Sequence, residues 1–545
     1  AAIWRWSTDR APDWPVVVNG DGDLRGRIAT SNLHYPRHLS RHPLLPMSAY
    51  WLEHDVEQKL DLYPGSFTWK QDQLLEIGED QWNGFSAWPH GCAIMAGDQA
   101  YANDEAALAG HDAAAIQYML GYRDAGVAYH QPWSKTSDRA RAYANQPIAA
   151  YLVDQYATTQ PGSTLSWQVN VFNDALIKHE LTLRAQSSLF DVTLDKPIVL
   201  DPAQKKRVSL RLVIPEKLAD TDVPWTLTLT DSTGKERFTD QHTLRIRNRA
   251  TIKQPATALY VMQGDGRLVS TLKKLKLNYQ KITDFTALSD IKAGLLLVGA
   301  NVALQGCNSH DRDALAAFTQ RGGKVMFFTQ DQYPSWSMVP ARVSQDTGHD
   351  ATLAHVSVKD HPVLAGLASE DFQYWPNGHR VSRNDFYKSQ SDGVLSLLTT
   401  GGRIGLAWSP LLYLPSGQGW FVMSQLDLLN PFETHPTPSR LLANVFTLSD
   451  QSQVKQTAKL YLIGQSPAWE SALEKVGIAY HRLESPQQLD ALGTNHWLLI
   501  PDGQWAEPWT QPVMAYIQKG GKLWLMDWQS AGFDQLDQQY GIRPL

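Results

Sequence analysis

The chain has 545 residues, with 49 lysines and arginines against 55 aspartates and glutamates and a formal net charge of −6. With 19% charged residues and no dense basic run, nucleic acid is disfavoured as the principal partner, and no apolar run approaches the roughly 20 residues that a membrane span needs. Two cysteines, Cys92 and Cys307, fall in different predicted domains and support neither a disulfide framework nor a zinc site, and the length suits roughly three to four domains.

Residues 15–19 (Pro-Val-Val-Val-Asn) form a short continuous apolar run, as expected of a strand buried on both faces, and open into a turn at Gly20-Asp21-Gly22-Asp23. Residues 27–35 form a second strand that ends in Leu-His34-Tyr35. Next comes Gln-Leu-Leu-Glu-Ile-Gly-Glu-Asp-Gln-Trp at 73–82, an apolar run closed by Gly78-Glu79. Side chains alternate along a strand, so Leu75, Ile77 and Glu79 share one face. A carboxylate at the C-terminal end of a buried strand is costly unless something uses it. An Ala-rich stretch, 106–120, has helical periodicity and precedes a further strand at 126–133 that contains Tyr129, His130 and Trp133. Strands whose C-terminal ends carry polar or aromatic groups, separated by helices and long excursions, follow the grammar of a (β/α) barrel in which the loops after the strands build the site.

These four strands resemble, in order and spacing, strands five to eight of retaining glycosidases of the family 2 type, which are β-galactosidase-like. In that family strand six ends in Asn/His-Tyr, strand seven supplies the nucleophile from a Gly-Glu or Ser-Glu pair, and strand eight ends in a Trp under the sugar. The resemblance covers about the first 146 residues and implies that Glu79 is the nucleophile of a retaining O-glycosidase acting on a β-linked oligo- or polysaccharide. It implies no cofactor. A retaining mechanism needs a second carboxylate about 5 Å away. In the family this is the Glu of an Asn-Glu pair on strand four, and this chain has no Asn-Glu dipeptide. The expectation is therefore a missing N-terminal segment, or a partner chain, that completes the barrel and supplies the acid. Glu53, Asp55 and Glu57 are alternatives within the chain that read more simply as a solvated helix face.

Twenty tryptophans are the compositional oddity. Flat rings suit the C–H faces of sugars, although most tryptophans serve packing. Trp82, Trp88 and Trp133, with Tyr35 and Tyr129, are the candidates for substrate stacking. His34, His90 and His130 lack metal-ligand spacing and read as donors to sugar hydroxyls or as structural residues, with zinc the remaining alternative. Asp21 and Asp23 are weak substrate contacts. No metal is expected.

Residues 147–250 alternate apolar and polar positions between Pro-Gly and Thr-Gly turns, the pattern of an antiparallel sandwich. The stretch beginning at Pro161 resembles the immunoglobulin-like sandwich of the same glycosidases. Beyond a linker lies an internal repeat: Ala-Leu-Tyr-Val-Met at 258–262 matches Lys-Leu-Tyr-Leu-Ile at 459–463, and Arg-Gly-Gly-Lys-Val at 321–325 matches Lys-Gly-Gly-Lys-Leu at 519–523. Each repeat reads strand, helix, strand, strand, helix, Gly-Gly turn, strand, a doubly wound α/β half. The two, at 256–450 and 456–545, resemble class I glutamine-amidotransferase-like domains. Cys307 is the only cysteine placed to be their nucleophile, but no Gly-x-Cys-x-Gly elbow surrounds it. Both repeats read as non-catalytic, with assembly as their role.

The fold expectation is thus the C-terminal half of a (β/α)8 barrel, an immunoglobulin-like sandwich and two α/β repeats. The function expectation is a glycoside hydrolase, with a non-catalytic carbohydrate-binding or assembly subunit as the alternative. The expected partners are a carbohydrate substrate and a second copy of the chain in a homo-oligomer, and the expected location is periplasmic or secreted.

Overall fold

A computed structural model describes residues 30–34, 60–61, 66–67, 74–80, 89–102, 104–125, 129–132, 137–153, 158–335, 337–376, 378–388, 393–402, 405–451, 460–464, 466–475, 480–490, 492, 496–501 and 507–525. They fall into two compact units, Ala1–Gln451 and Ser452–Leu545. Among the described residues no helix is long and apolar enough to cross a membrane.

In the first unit, strands β1 (Thr30–His34), β4 (Leu74–Asp80) and β5 (Tyr129–Pro132) form a parallel sheet in the order β1-β4-β5. A small hairpin, β2 (Leu60–Asp61) with β3 (Ser66–Phe67), lies between β1 and β4 in the chain. Helices Pro89–Ala96, Gln99–Ala102 and Asp104–Ala125 connect β4 to β5. The last carries Asp104 and Glu105 in its first turn and Arg123 in its last, each sign complementing the helix dipole. Arg123 continues to the carbonyls of Ala144 and Gln146 at 3.0 and 2.7 Å and so ties the helix end to the segment that enters the sandwich.

The sandwich has two sheets. One contains β7 (Thr158–Thr159), β9 (His179–Ser187), β10 (Asp191–Thr193), β11 (Ile198–Leu200), β13 (Thr221–Asp231) and β14 (Glu236–Ile246). The other contains β6 (Ile148–Leu152), β8 (Thr164–Asn173) and β12 (Gln204–Val213). Alternate residues of both, among them Val169, Val171, Leu181, Leu183, Leu227 and Leu229, are fully buried and make one core.

The α/β domain is built on one nine-stranded sheet. Its parallel part runs in the order β16 (Gln280–Lys281), β15 (Leu259–Met262), β17 (Leu295–Val298), β18 (Lys324–Phe327), β25 (Gly419–Ser424). Strands β24 (Gly405–Ser416), β23 (Leu395–Gly402) and β20 (His355–Val356) extend it antiparallel, and β22 (Phe386–Tyr387) also pairs with β24. A separate pair joins β19 (Asp350–Ala351) to β21 (Ser382–Arg383). Segment 330–450, which the sequence leaves open as an insertion or as the rest of the first repeat, thus contributes β20 and β22 to β25 to the same sheet.

Odd and even positions of the parallel strands enter different cores. Val261, Leu295 and Leu297 pack with helix Pro436–Asp450, while Met262, Leu296 and Val298 pack with helix Ser309–Gln320. Burial on both faces is why these strands read as unbroken apolar runs.

The second unit has β26 (Leu460–Ile463), β27 (Tyr480–Leu483), β28 (Trp497–Ile500) and β29 (Lys522–Leu525), all parallel, in the order β27-β26-β28-β29. That is the order of β16-β15-β17-β18. The Gly-Gly pair ends the same helix in both repeats. Gly322 and Gly520 have φ of 94° and 89°, and Gly323 N–H and Gly521 N–H bond back to the carbonyls of Phe318 and Tyr516, each at 2.9 Å. This is a Schellman stop. A Cβ on the second glycine would lie 2.4 Å from the Phe318 ring or 2.3 Å from the Tyr516 ring, so both glycines are required.

Candidate functional site

The register of the parallel sheet brings four of the residues singled out in the sequence onto three adjacent strands. His34 is the last residue of β1 and sits opposite Gly78, next to Glu79. Tyr129 and His130 open β5 opposite Glu76 and Ile77. Glu79 is the penultimate residue of the middle strand.

The pairing of β4 with β5 is irregular at this point. Ile77 pairs with His130 and Asp80 with Pro132, so Gly78 and Glu79 together face the single residue Gln131. One extra residue on one strand is the mark of a β-bulge or a similar irregularity in the ladder. Glycine is suited to the conformations a bulge demands. His90 is the second residue of helix Pro89–Ala96. Asp21, Asp23, Tyr35, Trp82, Trp88 and Trp133 lie outside the described residues.

The helix that follows β4 is held by the α/β domain. His355 Nε2 is 3.0 Å from the Ile94 carbonyl oxygen. Burial pushes the His355 imidazole below its ordinary value, against the Ile94 carbonyl and the charges of Asp98 and Glu370. The ring is therefore neutral and donates from Nε2, the tautomer its acceptor selects.

Beside it, strand β23 is pinned by a buried ion pair. His349 Nδ1 lies 3.2 Å from Asp385 Oδ2, and His349 Nε2 lies 3.0 Å from the Gly401 carbonyl oxygen. Both partners only accept, so the ring satisfies them by carrying a proton on each nitrogen. Burial alone would lower its affinity for the second proton. The bond to Asp385, the Asp385 charge, the Gly401 carbonyl and the Asp346 charge outweigh burial and hold His349 above the ordinary histidine value. Asp385 Oδ2 also accepts from Thr400 Oγ1 at 2.6 Å and from Ser382 Oγ at 3.1 Å. Trp408 stacks on His349 with centroids 4.2 Å apart and donates from Nε1 to Asp346. No sequence pattern announces this group, because its members are far apart in the chain.

Other candidate positions resolve as packing. Trp375 is fully buried and donates from Nε1 to the Asp371 carbonyl at 2.9 Å. A cavity of about 370 Å³ opens between helix Asp104–Ala125 and the sandwich, lined by Tyr143, Trp167, Trp225, Asp240 and Tyr374 among others. Trp225 stacks there on both Trp167 and His242 at 4.5 Å, which commits its ring to the sandwich. Cys307 follows the short 3-10 turn Leu304–Gly306 instead of standing at a strand-to-helix elbow. Burial, with the Asp311 charge adding to it, pushes its thiol up to about 11, the opposite of what an activated nucleophile needs.

No protein-family model matches the chain, and no curated protein sequence matches it. Among solved structures, a putative ThuA-like protein from Bacteroides uniformis is 15% identical over 38% of this chain and 96% of its own, with a TM-score of 0.26. The native conformation of Escherichia coli alpha-2-macroglobulin is 14% identical over 19% of this chain and 7% of its own, with a TM-score of 0.16. The CARDB domain of PF1109 from Pyrococcus furiosus is 9% identical over 18% of this chain and 94% of its own, also with a TM-score of 0.16.

Proposed function

We propose that the chain is the Glu79-bearing part of a retaining O-glycoside hydrolase that acts on β-linked oligo- or polysaccharides. The observation that carries the reading is the Gly78–Glu79 bulge near the C-terminal end of the middle strand of a parallel sheet, with His34 and His130 on the strands to either side. Bulges cluster beside active sites, and the C-terminal ends of barrel strands are where catalytic groups sit.

In this mechanism the Glu79 carboxylate attacks the anomeric carbon while a carboxylic acid from outside this chain protonates the leaving oxygen. Water, deprotonated by the same second group, then cleaves the glycosyl ester and restores Glu79. The two carboxyl groups keep different protonation states because neighbouring like charges do not both ionise cheaply. His34, His90 and His130 serve as donors to sugar hydroxyls, and Tyr35, Trp82, Trp88, Tyr129 and Trp133 as stacking surfaces, with Asp21 and Asp23 at the margin.

The test is labelling with a panel of aryl 2-deoxy-2-fluoro glycosides, followed by peptide mass spectrometry. The label is expected on Glu79, and Glu79→Gln is expected to lower kcat by roughly three orders of magnitude or more. A second reading, a carbohydrate-binding or assembly subunit on a glycosidase-like scaffold, is favoured by the absence of any Asn-Glu pair. It predicts that no member of the panel labels the protein although oligosaccharides bind it.

A further inference from the structure

We propose that one face of the second α/β unit, built by Trp497, Trp524 and Lys522, docks an amphipathic α-helix of a partner protein, with an apolar stripe and a carboxylate at its C-terminal end. The internal repeat shows what this face lacks. Strands β15, β17 and β18 of the first repeat correspond in sequence and register to β26, β28 and β29 of the second. Leu295 and Met326 of the first repeat are fully buried in one core with Leu441, Leu442 and Val445 of helix Pro436–Asp450. Lys324 sits opposite Leu295 in the register. Burial lowers its affinity for a proton, and the charge of Asp450, the last residue of that helix, opposes the effect.

In the second repeat the positions of Leu295, Met326 and Lys324 are taken by Trp497, Trp524 and Lys522. Both tryptophans are 42% exposed. Lys522 is exposed too, with its ammonium 5.5 Å from the centre of the Trp497 ring. Among the described residues this side of the sheet is packed only by helix Pro467–Lys475, whose Leu473 shares a core with Leu462 and Leu499. Its Trp469 meets Trp524 edge-on, with centroids 6.1 Å apart. The place of helix Pro436–Asp450 has no counterpart among the described residues, and β29 is the last strand of its sheet where β18 is followed by β25. Large exposed aromatic rings bordered by a cation mark an interaction surface. A helix laid there along the line of Pro436–Asp450 would cover both rings and bring its terminal carboxylate to Lys522. Helix Pro436–Asp450 is itself committed to its own repeat, so a second copy of the chain does not offer it.

The probe is a synthetic peptide of residues 436–450, labelled with fluorescein and held helical by a lactam bridge between positions 443 and 447 on the exposed side of that helix. Titrated with the full chain and read by anisotropy, it is expected to bind saturably. Trp497→Ala and Trp524→Ala should each weaken binding about tenfold. Lys522→Glu should weaken it about threefold and should prefer a peptide carrying Asp450→Lys, a reversal that loss of the fold would not produce. Hydroxyl-radical oxidation, read by mass spectrometry, should mark Trp497 and Trp524 in the free chain and spare both when the peptide is bound. No binding, or binding that all three variants leave unchanged, would overturn the proposal. So would tryptophans already protected in the free chain, and light scattering would then show whether a second copy or the chain itself covers the face.

Discussion

His349 shows most clearly how one residue's chemistry is set by its surroundings. It is buried between a carboxylate and a carbonyl, and it can serve both only as an imidazolium. Because its folded-state affinity for a proton exceeds the ordinary value, its contribution to stability is complete below the unfolded histidine value of about 6.5 and is lost as pH rises through the higher folded one. Melting temperature measured from pH 5 to 9 should therefore fall on the alkaline side, and His349→Gln should flatten that fall. Removing the ring altogether takes the cationic partner from the fully buried Asp385 and leaves it only the hydroxyls of Thr400 and Ser382. His349→Ala should cost about 3–5 kcal/mol by urea unfolding, the penalty of an uncompensated buried charge. A loss below about 1 kcal/mol would mean that the His349–Asp385 contact contributes little to stability.

At the scale of elements, the two α/β repeats are legible in the sequence because their determinants are local. Leu-Leu-Leu-Val at 295–298 and Trp-Leu-Leu-Ile at 497–500 are apolar runs of strand length, and Gly-Gly marks each helix end. Gly323→Val forces a side chain into the Phe318 ring and should cost about 1–3 kcal/mol by denaturant melt. Gly306→Ala, with open space around it, should be neutral within about 0.5 kcal/mol. The two-residue strands β7, β19, β20 and β22 carry no period and are not legible, since their pairing is decided by residues far along the chain. The bulge at Gly78–Glu79 is hidden for the same reason. Gly-Glu at a strand end is visible in one strand, but a bulge is defined only by the register of β5. Nor does any feature of His355, His349 or Asp385 in sequence foretell the hydrogen bond to the Ile94 carbonyl.

Within the first unit, the largest scale, sandwich and α/β domain are joined by charged and polar contacts of unequal burial. Arg245, on β14, reaches Glu370 at 3.0 Å and the buried Asp371 at 3.4 Å. Asp371 is already committed within the α/β domain, where it accepts from the Ala368 N–H at 2.9 Å. Arg249 pairs with the half-exposed Glu433 at 2.9 Å, and Arg440 pairs with Asp220 and donates to the Asn248 carbonyl at 2.8 Å. A surface pair contributes little and is screened by salt, whereas a desolvated one is costly to break and is screened far less. Arg249→Met should accordingly cost under about 1 kcal/mol and matter only at low ionic strength. Arg245→Met leaves Asp371 buried without its cation and should cost about 3 kcal/mol at any salt concentration. Because that loss falls on the contact between two cores and not inside either, calorimetry should show it as a separation of the sandwich and α/β transitions instead of a uniform shift of one. Equal, small and salt-sensitive losses for both variants would make Arg245 one surface cation among several.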